Sequence, residues 1–321
     1  MAASLPSAAH TASPFDLNDE RTYLGWRDTK LAHAAADIDA LTVDVQDPRA
    51  LTSAERGALL QRITQHNMAI YRSPVLDDDS GLVRALSAQL GLRQLDANWL
   101  ADPGGISAIA VSAASDGRGG FIPYTDRAIR WHTDGYYHPA ARRIHGMILH
   151  CVRPAASGGA NALFDHELAY IALRDIAPSH VQALMQADAM TIPARHGDAG
   201  DGGDGGDGGD GGVARPAQGG PVFSVDAADG SLHMRYTART RSIEWKDDSA
   251  TRAAVACLEA LLASERPGLV RTRLQAGMGI VGHNVLHERS GFVDAAAAPR
   301  LLYRARYLDR VASGPAPWRN G

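Results

Sequence analysis

Two cysteines in 321 residues, Cys151 and Cys257, lie far apart and outside any CxxC spacing. That excludes a disulfide scaffold or a thiolate zinc site and fits a reducing compartment. The chain also lacks any run near the ~18 uninterrupted apolar residues of a membrane span. Its first stretch, MAASLPSAAHTASPFDLNDERTYLGW, has no basic segment leading into an apolar core, so it does not read as a signal peptide. A basic excess is missing too. Against 32 Lys and Arg stand 36 Asp and Glu, a net charge of −4, and no basic stripe marks a nucleic-acid footprint. The expectation is a cytoplasmic protein with neither nucleic acid nor membrane as partner. What is present, 45% hydrophobic and 21% charged residues, is ordinary for a soluble globular chain with an ample core.

Along the chain, residues 1–20 read as a disordered or loosely attached N-terminus, and 21–313 as a single domain. LTSAERGALLQRITQHN (51–67) opens on a Thr52/Ser53 cap signal, with Leu59, Leu60 and Ile63 at helical spacing. MAIYRS (68–73) reads as a strand. DDDSGLVRALSAQLGL (77–92) reads as a helix with Leu82, Leu86 and Leu90 on one side. From about 105 to 165 the pattern turns to short β runs broken by Gly and Pro. Helices are expected again at 164–176 and 249–264, and strands in the C-terminal part. GDAGDGGDGGDGGDGG (197–212) cannot bury apolar surface and reads as a flexible insertion within the domain. It lacks the apolar residue that calcium-binding glycine–aspartate repeats carry in each turn.

The chemistry concentrates in WHTDGYYHP (131–139). On a strand, His132 and Asp134 point to the same side. An imidazole and a carboxylate converging in this way are two thirds of a 2-His-1-carboxylate iron site, although HxD also describes the polar end of an ordinary strand. A third ligand is offered by GHNVLHERSGF (282–292), where His283 and His287, four apart, share a face. Periodicity does not choose between them. In APRLLYRARYLDR (298–310), Arg300, Arg304 and Arg306 share one parity. An interior file of guanidiniums needs anionic partners, and a bidentate arginine is the usual clamp for a carboxylate. Leu301, Tyr303, Ala305 and Tyr307 take the other face, suited to packing against helices.

WHTDG, GGANALFD (158–165), NVLHERSGF (284–292) and RLLYRAR (300–306) together resemble the TauD/TfdA-type iron(II)- and 2-oxoglutarate-dependent dioxygenases, in order and spacing, from about residue 50 to 310. The resemblance implies a mainly β fold with flanking helices, a double-stranded β-helix or jelly roll of the cupin kind. It implies iron(II) held by His132, Asp134 and His287, with His283 at the place of a family Asp. It implies 2-oxoglutarate and oxygen as cosubstrates. Arg300 takes the position that salt-bridges the distal carboxylate, Asn161 that of a hydrogen-bonding threonine, and Arg304 that of a contact to cosubstrate or anionic substrate. The R-x₃-R-x-R file is similar to that of a glutarate-hydroxylating (CsiD-like) branch. The implied reaction yields succinate and CO₂ and hydroxylates an unactivated C–H bond. Asp134, absent from halogenating relatives, favours hydroxylation.

The expected substrate is a small anionic metabolite, with Arg304, Arg306, Tyr136 and Tyr137 as candidate contacts. Arg235, Tyr236, Arg239 and Arg241 form a basic, aromatic stretch that either touches substrate or forms a surface strand. His138 is a further candidate lining residue, His145 and His150 read as core histidines, and Arg142 and Arg143 as solvated. Desaturation or oxidative cleavage at the same iron, a non-catalytic organic-acid-binding barrel and a zinc hydrolase are the alternatives. The family resemblance implies a dimer or tetramer as possible assembly.

Overall fold

The computed structural model describes residues 13–96, 101, 104–113, 118, 120–194, 215–239 and 243–312. Six α-helices and seventeen short strands occur among them, and no helix there is long and apolar enough to cross a membrane. The Gly/Asp-rich insertion at 197–212 and Arg241 lie outside the described residues.

Two sheets frame the site. The larger runs β1(Thr42–Asp44), β2(Met68–Arg72), β14(Met278–His283), β5(Gly146–Arg153), β17(Leu301–Tyr307), β3(Ser107–Ile109) in spatial order. The smaller runs β13(Leu269–Thr272), β7(Asn161–Phe164), β15(Leu286–Arg289), β4(Ile129–His132). Alternation along the strands sends each face to its own core. Ile70, Cys151, Ile280 and Leu302 of the larger sheet share one apolar cluster with Leu163 and Val270 of the smaller, so these faces pack on each other. On the far side of the larger sheet, Tyr71, Ile148, Val281, Ala305 and Tyr307 pack with Leu59, Ile63, Val83 and Leu86, from α2(Ser53–His66) and α3(Gly81–Gln89). The split along β17 follows the sequence parity, with Ala305 and Tyr307 against helices and Arg304 and Arg306 turned inward. The smaller sheet's outer residues, Ala162, Phe164, Leu269 and Leu286, are covered by α1(Glu20–Ala32), α4(His166–Ile176), α5(Pro178–Leu184) and α6(Ser249–Leu262).

The capping box read at Thr52 is present: Glu55 N–H donates to Thr52 Oγ1, and the Glu55 carboxylate accepts from the Thr52 N–H. The helix expected over 77–92 is shorter, because Asp79 turns its carboxylate onto the Gly81 N–H and the preceding residues stay outside the helix. Two helices escaped the sequence reading. α5 is a single short segment opening on Pro178. α1 has a polar sequence, but Tyr23, Trp26 and Lys30 fall on one face and are buried. Within the stretch expected to be loosely attached, residues 13–20 are described. Phe15 is buried between Trp26 and Tyr170, with ring centroids 5.1 and 5.4 Å away, and α1 follows it directly. The Lys30 ammonium lies buried between Asp165 (2.7 Å) and Glu167 (2.5 Å), which ties α1 to the start of α4.

Candidate active site

His132 closes β4 and His287 lies on β15, and the two are direct partners in the antiparallel register. Their ring centroids are 4.2 Å apart. Each ring is oriented the same way: His132 Nδ1 bonds the Arg130 carbonyl and His287 Nδ1 the Val285 carbonyl, both at 2.9 Å. A donor bond at Nδ1 selects the tautomer that leaves Nε2 as a lone-pair ligand, the arrangement typical of metal-binding histidines. Ligand atoms of His132, Asp134 and His287 all lie within 4.8 Å of one another, and this is the metal-competent group among the described residues.

Asp134 does not reach the site by strand alternation, as the sequence suggested. β4 ends at His132, and Asp134 begins a turn over 134–137. Asn284 holds it there. The Asn284 Oδ1 accepts the Asp134 N–H (2.8 Å), and its Nδ2 donates to the Asp134 carbonyl (2.7 Å) and that of Ile144 (3.0 Å). Gly135 follows with φ +67°, where a Cβ would meet Ile144 at 2.5 Å, so only glycine allows the turn.

His283 and His287, which periodicity did not separate and the family resemblance did, lie on different strands because residues 284–285 break the run between them. His283 ends β14 in the other sheet, buried, with its Nδ1 2.7 Å from Asn67 Oδ1 and 2.8 Å from an Arg310 nitrogen. Burial first, and then the Arg310 charge, hold its imidazole well below the usual pKa. It is a buried core group outside the metal-competent set.

A second polar region adjoins the triad. Leu163 is the register partner of His287 on β7, and Asn161 lies two residues further along, about 6.6 Å. Asn161 and Arg300 line one pocket with Cys151, Gly159, Leu274 and Leu302, and Arg273 stands at its edge. Arg300 sits one residue before β17 rather than within it, at a register irregularity. It is 5% exposed, and burial depresses its pKa. Among the described residues its guanidinium makes no hydrogen bond or ion pair, lying instead 5.0 Å over the Phe292 ring. Arg289 flanks the same ring at 4.8 Å and donates to the carbonyls of Thr125 (2.8 Å) and Arg127. The Cys151 thiol is pushed up to about 11 by burial, with the charges of Arg300 and Arg273 pulling the other way.

The remaining candidates are placed differently from one another. Arg304 Nη1 is 3.2 Å from Asp134 Oδ1, inside the site. Arg306 is deeply buried, ion-paired with Asp96 (2.7 Å) and donating to the Tyr137 hydroxyl (2.9 Å). Tyr136 and Tyr137 are buried in the core cluster that includes Trp131. Arg235 spends its donors on the carbonyls of Tyr136, Met190 and Gln218. Tyr236 is core, and its segment lies along β4, where Thr237 bridges His132; Arg239, also buried, follows in that segment. His138 is buried and bonds the Arg142 carbonyl (3.0 Å). His150 stacks on Tyr71 and takes its hydroxyl at 2.8 Å, as a core histidine should. Arg142, expected to be solvated, keeps 41% of its side chain exposed while its guanidinium also pairs with the buried Asp96 at 2.7 Å. Asn284, Asp96 and Phe292 carry roles that residue type alone did not signal.

The taurine catabolism dioxygenase TauD, TfdA family matches residues 27–306. The chain belongs to this family. A uridine-5'-phosphate dioxygenase from Amycolatopsis sp. is 32% identical over 190 residues, 56% of this chain. The matched region spans 60% of that relative's length. Among solved structures, asparagine oxygenase in complex with Fe(II), a hydroxyasparagine and succinate aligns with a TM-score of 0.56 at 15% identity, covering 94% of this chain and 87% of the other. The non-heme iron oxygenase OrfP with Fe and alpha-ketoglutaric acid aligns equally well (0.56) at 17% identity, over 80% of each chain. These alignments establish a shared fold.

Proposed function

We propose that this TauD/TfdA family member is an iron(II)- and 2-oxoglutarate-dependent oxygenase that hydroxylates a small anionic metabolite. In this reading the two facing sheets are the halves of a double-stranded β-helix. His132, Asp134 and His287 hold the iron, and Arg300 with Asn161 holds the distal carboxylate of 2-oxoglutarate. The observation that carries the reading is Arg300: a buried guanidinium that makes no ion pair among the described residues, in a pocket it shares with Asn161 of β7, the strand paired with that of His287. An unpaired buried charge is costly, so such a pocket is built for an anionic ligand.

Bound iron and 2-oxoglutarate supply the oxidising chemistry: one oxygen atom of O₂ enters the substrate C–H bond, the other enters succinate, and CO₂ leaves. The protein's residues do the rest. The carbonyls of Arg130 and Val285 keep both imidazoles aimed, Asn284 sets Asp134, and Arg300 fixes the cosubstrate's orientation. Arg304, beside Asp134, is the cation placed to meet an anionic group of cosubstrate or substrate. The relative named for uridine 5'-phosphate, a phosphorylated metabolite, supports an anionic substrate.

Anaerobic addition of iron(II) and then 2-oxoglutarate tests this. A visible metal-to-ligand charge-transfer band, followed by succinate release on admitting oxygen, is expected. Metal binding without the band would remove Arg300 from its assigned role and bring forward the hydrolase or binding-protein readings.

A further inference from the structure

The turn that carries Asp134 is gripped beyond Gly135 by two buried arginines. Arg306 reaches it from β17, its Nη1 donating to the Tyr137 hydroxyl at 2.9 Å and its Nη2 to Asp96 Oδ2 at 2.7 Å. Asp96 is itself doubly tied. Its other carboxylate oxygen accepts from Arg142 (2.8 Å from Nε), and its backbone N–H donates to the Arg306 carbonyl (2.8 Å). From the opposite side, Arg235 Nε donates to the Tyr136 carbonyl at 2.7 Å while its Nη groups hold Met190 (3.1 Å) and Gln218 (2.6 Å).

We propose that Arg306 and Arg235 are positioning residues for the metal-ligand turn, acting through the Tyr137 hydroxyl and the Tyr136 carbonyl, and that neither guanidinium reads the substrate. Asn284 fixes the Asp134 peptide and the Ile144 carbonyl, and the positive φ of Gly135 gives the chain a pivot between Asp134 and residues 136 and 137. Arg304 meets the Asp134 carboxylate itself, and the two arginines add a hold on residues 136 and 137, just past that pivot; a ligand set works only within about 0.5 Å of its productive geometry. For Arg306 to meet a substrate anion it would have to abandon a buried carboxylate, and the charge left behind makes this expensive. Arg235, committed to three carbonyls, has the same difficulty.

The inference rests on His132, Asp134 and His287 being the iron ligands, and it needs no knowledge of the primary substrate. Iron(II) affinity, the 2-oxoglutarate charge-transfer band, substrate-free succinate release and Tm would be compared for the wild type, Tyr137→Phe, Arg306→Met and Arg306→Lys. Tyr137→Phe removes one hydroxyl and keeps the ring, so the fold is retained if Arg306→Met is not. It is expected to weaken iron(II) binding about 3- to 10-fold, the loss of one hydrogen bond, and to shift the band. Arg306→Lys, which keeps the charge for Asp96 but not the fork, should restore Tm without restoring iron affinity. Unchanged iron affinity and substrate-free turnover in Tyr137→Phe would overturn the proposal, whether only Tm moved (packing) or only the requirement for substrate moved (a substrate contact). A wild type that binds no iron would sink the ligand reading itself, and the proposal with it.

Discussion

His132 and His287 face each other across the β4–β15 register, each with its Nδ1 on the carbonyl two residues before it. The symmetry leaves two Nε2 atoms converging beside Asp134. His283, four residues from His287 in the chain, bonds Asn67 and Arg310 instead. His287→Ala should therefore lose iron(II) affinity by more than ~100-fold, beyond the usual cost of an outer partner. His283→Asn should lose Tm and keep its iron. Isothermal titration under nitrogen separates the two. Iron loss in His283→Asn alone would reverse the assignment.

Asn284 makes three hydrogen bonds that set where Asp134 points. Asn284→Ala is expected to reduce iron affinity by about 10- to 100-fold, as removal of outer-shell partners does. Asn284→Asp keeps the acceptor for the Asp134 N–H but loses both donors, and should fall between. Affinities equal to wild type in both would show that the turn holds without it.

Arg300→Ala should raise the KM for 2-oxoglutarate by one to a few decades, since an orphaned carboxylate contact costs roughly 2–5 kcal/mol. Iron binding alone should stay within a few-fold. A 2-oxoglutarate KM that does not move would take Arg300 out of the pocket's function.

Stability should depend on pH through the buried histidines. Burial lowers the pKa of His150, and likewise of His66, from 6.5 to about 4. The folded protein then binds fewer protons than the unfolded chain between those values. This contribution is fully present above pH 6.5 and is lost as pH falls toward 4, by at most roughly 3 kcal/mol for His150. Tm measured from pH 7.5 to 4.5 should fall, and less steeply for His150→Gln, which still offers Tyr71 an acceptor but does not titrate. Parallel slopes would show that His150 is accessible to protons in the folded state.

Several parts of this molecule are local enough to be read from residue order. The Thr52–Glu55 box is one, because both partners lie within one turn of the chain. The spacing of Leu82, Leu86 and Leu90, all buried, is another. The inward parity of Arg304 and Arg306 follows from strand geometry alone. The reading failed where a local break interrupts the period. The strand through His132 stops before Asp134, and the two residues between β14 and β15 put His283 and His287 in different sheets. α1 was missed although Tyr23, Trp26 and Lys30 keep helical spacing, because its surface is mostly polar and a buried lysine does not look like core.

The residue types that a metal triad and a carboxylate clamp would need stand in family order along the chain, because ligand chemistry belongs to residue types and their spacing. Which arginine has a charge to offer was decided only by the tertiary structure. Arg306 ion-pairs with Asp96, 210 positions away, while the Arg300 guanidinium lies over an aromatic ring and makes no ion pair among the described residues, with Asp294 acting on it only through its charge. Neutralisation of a buried charge depends on what lies within a few ångströms of it, and that distance exists only once the chain has folded.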